Sequence, residues 1–432
     1  MIESIIITLV SIIMILSCGT PYANALNFDM HFMEMMSFVL FLWMMTEGKA
    51  RIKKKVMMRF MGLFSIYLLL ILLCMTMSVP RNAVVSFANR FIIILFLASF
   101  IFCMDSKAGL KLLERYKQVM VILSALSLFF WVFGSLFHII SPNMSIYALH
   151  GTEKIYPGYF GLYFESQKEK FLSFNNFRNI GIFCEGPLFS LNIIIALAVE
   201  TFLLDRGILN NKKTKLSVFN VNWNILILTC TLISTITTTG YILLIVLFIL
   251  YYATNYNSKG LLKILKWIVA IVLIIGGSYF AYSIFVMKTN SGSWLIRFDD
   301  YVAGYYAWKK SPIFGNGYGD FSVLSGFMRV FADGRGFTNS IFAVLLQCGI
   351  CLFSVYGIPM AGSIITNIRS KNWKTVCFTI IVILEFSTTI FQYTPLILVL
   401  IAYMNSLLIC NYERKSLMKA LRKPKMISYY RK

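Results

Sequence analysis

Charge is scarce in this chain, and negative charge scarcer still. Of its 432 residues 13% are charged, where soluble domains carry about 25%. Asp and Glu number 18 against 40 Lys and Arg, for a net charge of +22. That shortage excludes an ordinary soluble domain. Histidine is rarer again: His31, His138 and His150 are the three, and no H-x-x-x-H or H-E-x-x-H spacing joins them, so no zinc site is legible. There is no Ser/His/Asp set, no nucleophile elbow and no internal repeat of the kind that builds many secondary transporters. The first apolar run, Ile5 to Leu16, lacks a basic n-region and an A-x-A site, so no cleavable signal is expected. The nine cysteines lie nearly all inside apolar runs, where they act as small hydrophobes. Cys348-x-x-Cys351 has no βαβ pattern beside it, which speaks against redox or metal work.

What the chain has is hydrophobic length. Apolar residues make up 58% of it, and the mean hydropathy is +0.74. The apolar blocks approach the roughly 20 residues that cross a hydrocarbon core as helix, and they do not alternate as barrel strands do. The fold class expected is therefore all-α: a polytopic integral membrane protein of about twelve transmembrane helices, one membrane domain over 1–432. The spans read as 4–18, 30–46, 60–79, 90–104, 119–140, 181–204, 223–237, 239–254, 267–287, 338–360, 375–390 and 394–410. Of the 40 basic residues, 28 fall in connectors 47–59, 105–118, 205–222, 255–266, 367–374 and the tail 411–432. The other 12 fall on the opposite side, in 80–90, 141–180 and 288–337. Cytoplasmic loops attract Lys and Arg. Both termini are thus expected in the cytoplasm, with loops 141–180 and 288–337 outside and no basic residue in hydrocarbon. The basic excess is a topology signal and does not point to nucleic acid.

The stretch from Trp294 to Asn339 is long, aromatic and glycine-rich, and loops of that length are usually functional or disordered. Asp299 and Asp300 near its start and Lys309-Lys310 before Ser311-Pro312 match the dipole and the end of a surface helix. A glycine turn, Gly315 to Gly319, follows. Adjacent helical residues point about 100° apart, so Asp299 and Asp300 make a poor metal pair, and neither metal nor cofactor is expected. Ser234 to Gly240 reads either as a tight turn or as a broken helix whose hydroxyls line a polar cavity. The aromatics of 141–180 read as an interfacial belt or as flat faces for sugar rings. Ionisable residues within spans are functional candidates; here they are Glu34, Glu185, Glu200 and Glu385. Arg178, Arg297, Arg329 and Arg335 share one side, and a guanidinium grips phosphate with two parallel hydrogen bonds.

Several short motifs then fall in order. Arg178-Asn-Ile-Gly-Ile-Phe-Cys-Glu-Gly-Pro187, Ser234 to Tyr241, Trp308-Lys-Lys-Ser-Pro-Ile-Phe-Gly-Asn-Gly-Tyr-Gly-Asp-Phe321 and Phe337-Thr-Asn-Ser-Ile to Gly349-Ile350 resemble the bacterial O-antigen polymerase/ligase family. The resemblance covers about 175 to 350. Thr338 stands where the family's ligases often carry histidine, and Thr239 where they often carry arginine, which leans toward polymerase.

The resemblance implies a GT-C-like glycosyltransferase architecture in the bacterial inner (plasma) membrane, without a metal. The reaction it implies moves a glycan from undecaprenyl pyrophosphate onto the non-reducing end of another lipid-linked repeat unit, at the outer face. The product would be O-antigen (lipopolysaccharide) or capsular polysaccharide. The implied partners are the lipid-linked donor and acceptor and membrane lipid, with a chain-length regulator left open. Arg178, Glu185 and Arg297 carry over as catalytic, and Gly317 and Asn339 as substrate-binding; Arg329 and Arg335 join them on the charge of the loop alone. The rival expectation is a flippase for lipid-linked oligosaccharides.

Overall fold

The computed structural model describes residues 2–25, 29–46, 52–105, 107–150, 152–171, 174–204, 222–254, 293–329 and 337–421. The expected span 267–287, and Arg335, lie outside the described residues. Each other expected span has a helix over most of its length. These are α1 (Ile2–Leu16), α2 (Asp29–Thr46), α3 (Lys54–Met77), α4 (Arg81–Met104), α5 (Ala108–Leu136), α6 (Gly186–Leu203), α7 (Trp223–Ser234) and α8 (Thr238–Thr254). After α9 (Ser293–Lys310) come α10 (Ser340–Arg369), α11 (Trp373–Thr388) and α12 (Pro395–Leu421). Five of them, α3, α4, α5, α6 and α10, are long and apolar enough to cross a membrane.

The helices differ in how far they are enclosed. In α6, 89% of the apolar window is buried, against 28% in α3. A helix that is apolar all round belongs inside a bundle, and α6 is that helix, packed by α5, α7, α8 and α11. On α3 a row of apolar side chains stays exposed, among them Met58, Met61, Leu69 and Leu72, as on a helix with one side toward lipid.

Two features correct the reading of an all-α chain with no basic residue in its spans. Loop 141–180 contains strands: β1 (Met144–His150), β2 (Thr152–Tyr159) and β3 (Tyr163–Phe164) form an antiparallel sheet. β4 (Lys168–Phe171) and β5 (Phe174–Phe177) form a hairpin beside it. The molecule is mostly helical, with this small β region at one end. Alternation drives the strands. Tyr147 and Ile155 pair across β1 and β2 and are exposed, while the next residues of each strand, Ala148 and Tyr156, are buried. The second correction concerns Arg90 and Lys117, which the connector boundaries left in loops. Both are helix residues, 6% and 1% exposed. Lys117 Nζ sits 2.8 Å from Glu200 Oε2, and Arg90 donates to Tyr318 Oη and to the Tyr393 carbonyl, each at 3.2 Å.

The glycine turn is built into a helix break. At Gly349, with φ 63° and ψ −164°, α10 leaves helical geometry. The chain from Pro312 to Gly317 takes up the backbone groups released there. Ile350 N donates to Pro312 O at 2.9 Å and Cys351 N to Ile313 O at 3.1 Å. In return Asn316 N donates to Leu346 O at 2.7 Å and Gly317 N to Gln347 O at 3.0 Å. The contact is backbone on backbone. A Cβ on Gly315 would stand 2.3 Å from Gln347 C, and one on Gly349 2.2 Å from Ile313 O, so neither position admits a side chain.

Candidate active site

Five segments meet at the β end of the bundle around a cavity of about 370 Å³. The segment between β5 and α6 brings Arg178 and Glu185, the α7–α8 joint brings Thr237 to Thr239, α9 brings Arg297, and the start of α10 with the end of α11 brings Thr338, Thr388 and Thr389. At 1.5 Å per residue, the described lengths of α7 and α8 are about 18 and 25 Å, each below the ~30 Å of a hydrocarbon core. Ile236 takes a positive φ of 51° at their joint, and Thr235 returns its hydroxyl to Leu232 O at 2.7 Å, so the break is held by its own side chains.

Each cavity residue is fixed from behind. Asn179 N donates to Ser234 O at 3.1 Å, and its side-chain amide donates to Ser234 Oγ at 2.9 Å. That pins the Arg178 segment to the α7–α8 joint. The Arg178 guanidinium lies flat against Gly186, where a Cβ would come within 3.0 Å of Nε and 3.0 Å of Thr237 Cγ2. Arg178 is buried. Glu185 is the extended residue that opens α6, and Pro187 fixes the first turn.

Arg297 donates to Thr388 O at 3.3 Å, and Tyr301, one turn on, donates to Ser387 O at 2.5 Å. Burial pulls the Arg297 guanidinium below its ordinary pKa, and the negative charge of Glu185 opposes that. The two groups are thus electrostatically linked across the cavity.

Three helices begin at this cavity. Glu185 and Pro187 stand at the start of α6, Thr237 and Thr238 at the start of α8, and Phe337 and Thr338 just ahead of α10. Each start carries a partial positive charge, and that of α10 is already capped by Asn339. Two arginines and three helix starts together favour an anion here over any cation.

The sequence candidates separate cleanly. Arg178, Glu185 and Arg297 line the one cavity. Gly317 lies in the wedge that fills the α10 break. Asn339 caps α10, its Oδ1 accepting from Phe342 N at 3.1 Å, while its buried Nδ2 has no hydrogen-bond partner among the described residues. The Arg329 side chain is exposed, and its backbone N donates to Asp299 Oδ2 at 3.0 Å. Asp300 turns the other way, accepting from Thr338 N at 3.1 Å and Thr338 Oγ1 at 2.5 Å. The two aspartates are latches, each on a different segment. No group of three or more His, Cys, Asp or Glu able to hold a metal occurs among the described residues.

Thr237 to Thr239, from the hydroxyl run read as a tight turn or a cavity-lining break, do face the cavity, and so does Thr338, which the sequence marks only as a departure from a pattern. Sequence reasoning missed Glu165, buried and accepting from Ser135 Oγ at 2.6 Å and Tyr159 Oη at 2.9 Å. Among known proteins, the chain matches no family model and no curated sequence.

Proposed function

We infer that the chain is a membrane glycosyltransferase of the polymerase type, joining saccharide units carried on a polyprenyl diphosphate. What supports this most is one arrangement: Arg178, Arg297 and three helix starts around a cavity that the Glu185 carboxylate also lines. A glycosyl diphosphate leaves as an anion, so the site's main task is to hold positive charge where negative charge grows. The two guanidinium groups do this by planar, two-pronged hydrogen bonding. Glu185 takes the proton of the attacking hydroxyl. The new C–O bond forms at the anomeric carbon as the bond to the diphosphate oxygen breaks, and the electron pair departs with the diphosphate. The described basic connectors 107–118 and 367–374 lie at helix ends away from the β region, which supports a cavity facing away from the cytoplasm.

The test is reconstitution of the full chain in liposomes with polyprenyl-diphosphate-linked repeat units. Longer glycans are expected from the wild-type protein and none from Glu185→Gln at equal protein level. Movement of the units across the bilayer without elongation would replace this reading by a transporter. Full activity in Glu185→Gln would leave that residue structural.

A further inference from the structure

Of the six threonines around the cavity, four commit their hydroxyl hydrogens to the protein behind them. A threonine hydroxyl has one hydrogen and two lone pairs, so the place its hydrogen goes decides what it can offer a ligand. Thr338 Oγ1 gives its hydrogen to Asp300 Oδ2 at 2.5 Å. Thr389 Oγ1 gives its hydrogen to Glu385 Oε2 at 3.3 Å, and Thr388 Oγ1 to Leu384 O at 3.0 Å. Thr237 Oγ1 lies 2.9 Å from Thr235 Oγ1. Thr235 already donates to Leu232 O, so Thr237 must be the donor of that pair. Thr338, Thr389, Thr388 and Thr237 line the same cavity as Arg178 and Arg297.

We propose that these four threonines form an acceptor subsite, which binds the donating O–H and N–H groups of a saccharide whose diphosphate the two arginines hold. The inference rests on the glycosyltransferase reading and adds to it how the sugar is recognised. A ligand with a phosphate and no hydroxyls leaves these four acceptors without hydrogens, and buried acceptors left unmet are costly. A polyhydroxylated ring satisfies them. Asp300 and Glu385, at 0% and 1% exposure, stand behind Thr338 and Thr389 as positioning residues. Donation to Asp300 also polarises the Thr338 oxygen and strengthens it as an acceptor. A site that depends on such bonds rejects an analogue lacking one hydroxyl far more sharply than one lacking a methylene.

Two arms test the subsite. In the first, KM for lipid-linked repeat units is measured for Thr338→Val and Thr338→Ser, beside the Kd for polyprenyl diphosphate alone. Thr338→Val should raise KM about tenfold, the effect of one lost hydrogen bond, with the Kd unchanged; Thr338→Ser should keep both. The second arm uses the wild-type protein with repeat-unit analogues in which single hydroxyls are replaced by hydrogen, fluorine or an amino group. At one or more positions fluorine, which cannot donate, should fail as badly as hydrogen, while the amino group is accepted. Wild-type KM in Thr338→Val together with fluorine tolerated at every position overturns the subsite and leaves the glycosyltransferase reading standing. Absence of elongation of unmodified units by the wild-type protein removes both.

Discussion

Two of the charge clusters buried in this bundle differ in their surroundings: one pairs with itself and the other borders a cavity. At the first, Lys117 and Glu200 meet at 2.8 Å with almost no exposure, and Asn222 and Asn224 donate to Glu200 Oε1 at 2.9 and 3.3 Å. Its hydrogen bonds close on one another. At the second, Arg178, Glu185 and Arg297 border a cavity of about 370 Å³, and their supports reach them from behind. An intramembrane charge is a functional candidate by default, but the surroundings decide. A cluster saturated by its own neighbours is architecture; one arranged around space is addressed to a ligand.

That contrast can be broken by substitution, and the effects should fall in a definite order. The largest belongs to the closed pair. Lys117→Met leaves Glu200 buried without its cation, which costs about 3–5 kcal/mol. Loss of folded protein in detergent is expected, with recovery in Lys117→Met/Glu200→Leu; an unstable double variant would mean the pair does more than satisfy itself. Next is the wedge. Gly315→Ala drives a Cβ into the α10 backbone at a φ of +74°, combining an overpacking cost of up to about 3 kcal/mol with about 1–2 kcal/mol for left-handed backbone. A thermal melt should show it.

Arg297→Ala acts on chemistry instead. A charged hydrogen bond contributes about 1.5–3 kcal/mol, so transfer should slow by roughly one to two orders of magnitude while the melt stays in place. A rate within twofold of wild type would remove Arg297 from the site. The smallest effect belongs to Gly319, where φ is +78° but nothing lies within 4 Å of an added Cβ. Gly319→Ala should show only the left-handed cost, about 1–2 kcal/mol, and set the scale for Gly315→Ala.

Much of the site was legible in the sequence because its residues cluster in short motifs with unusual composition. Arg178 and Glu185 flank a Gly-Pro helix start, and the Ser-Thr run at 234–240 offered hydroxyls where a span was too short. Helix α9 ends where Ser311-Pro312 says it should. What failed to show was which side of a helix is enclosed beyond the apolar core. Lys117 lies on the stripe of Leu113, Met120 and Ser124, all buried, and that spacing of three, four and seven was available. The strands of 144–177 were masked by their aromatics, which satisfy a belt as well as an alternating sheet. Gly317 and Asn339 stood out for reasons of backbone geometry, and a motif cannot tell a residue that touches a ligand from one that lets two chains touch.

The attachments of α9 carry one more consequence. Arg297, Asp299, Asp300 and Tyr301 each reach a different neighbour within two turns, and the chain that follows is locked into α10. Arg297 is thus held like a fixed jaw. Its freedom was surrendered when the chain folded, so an incoming anion finds the cation already aimed, and little entropy remains to be lost on capture.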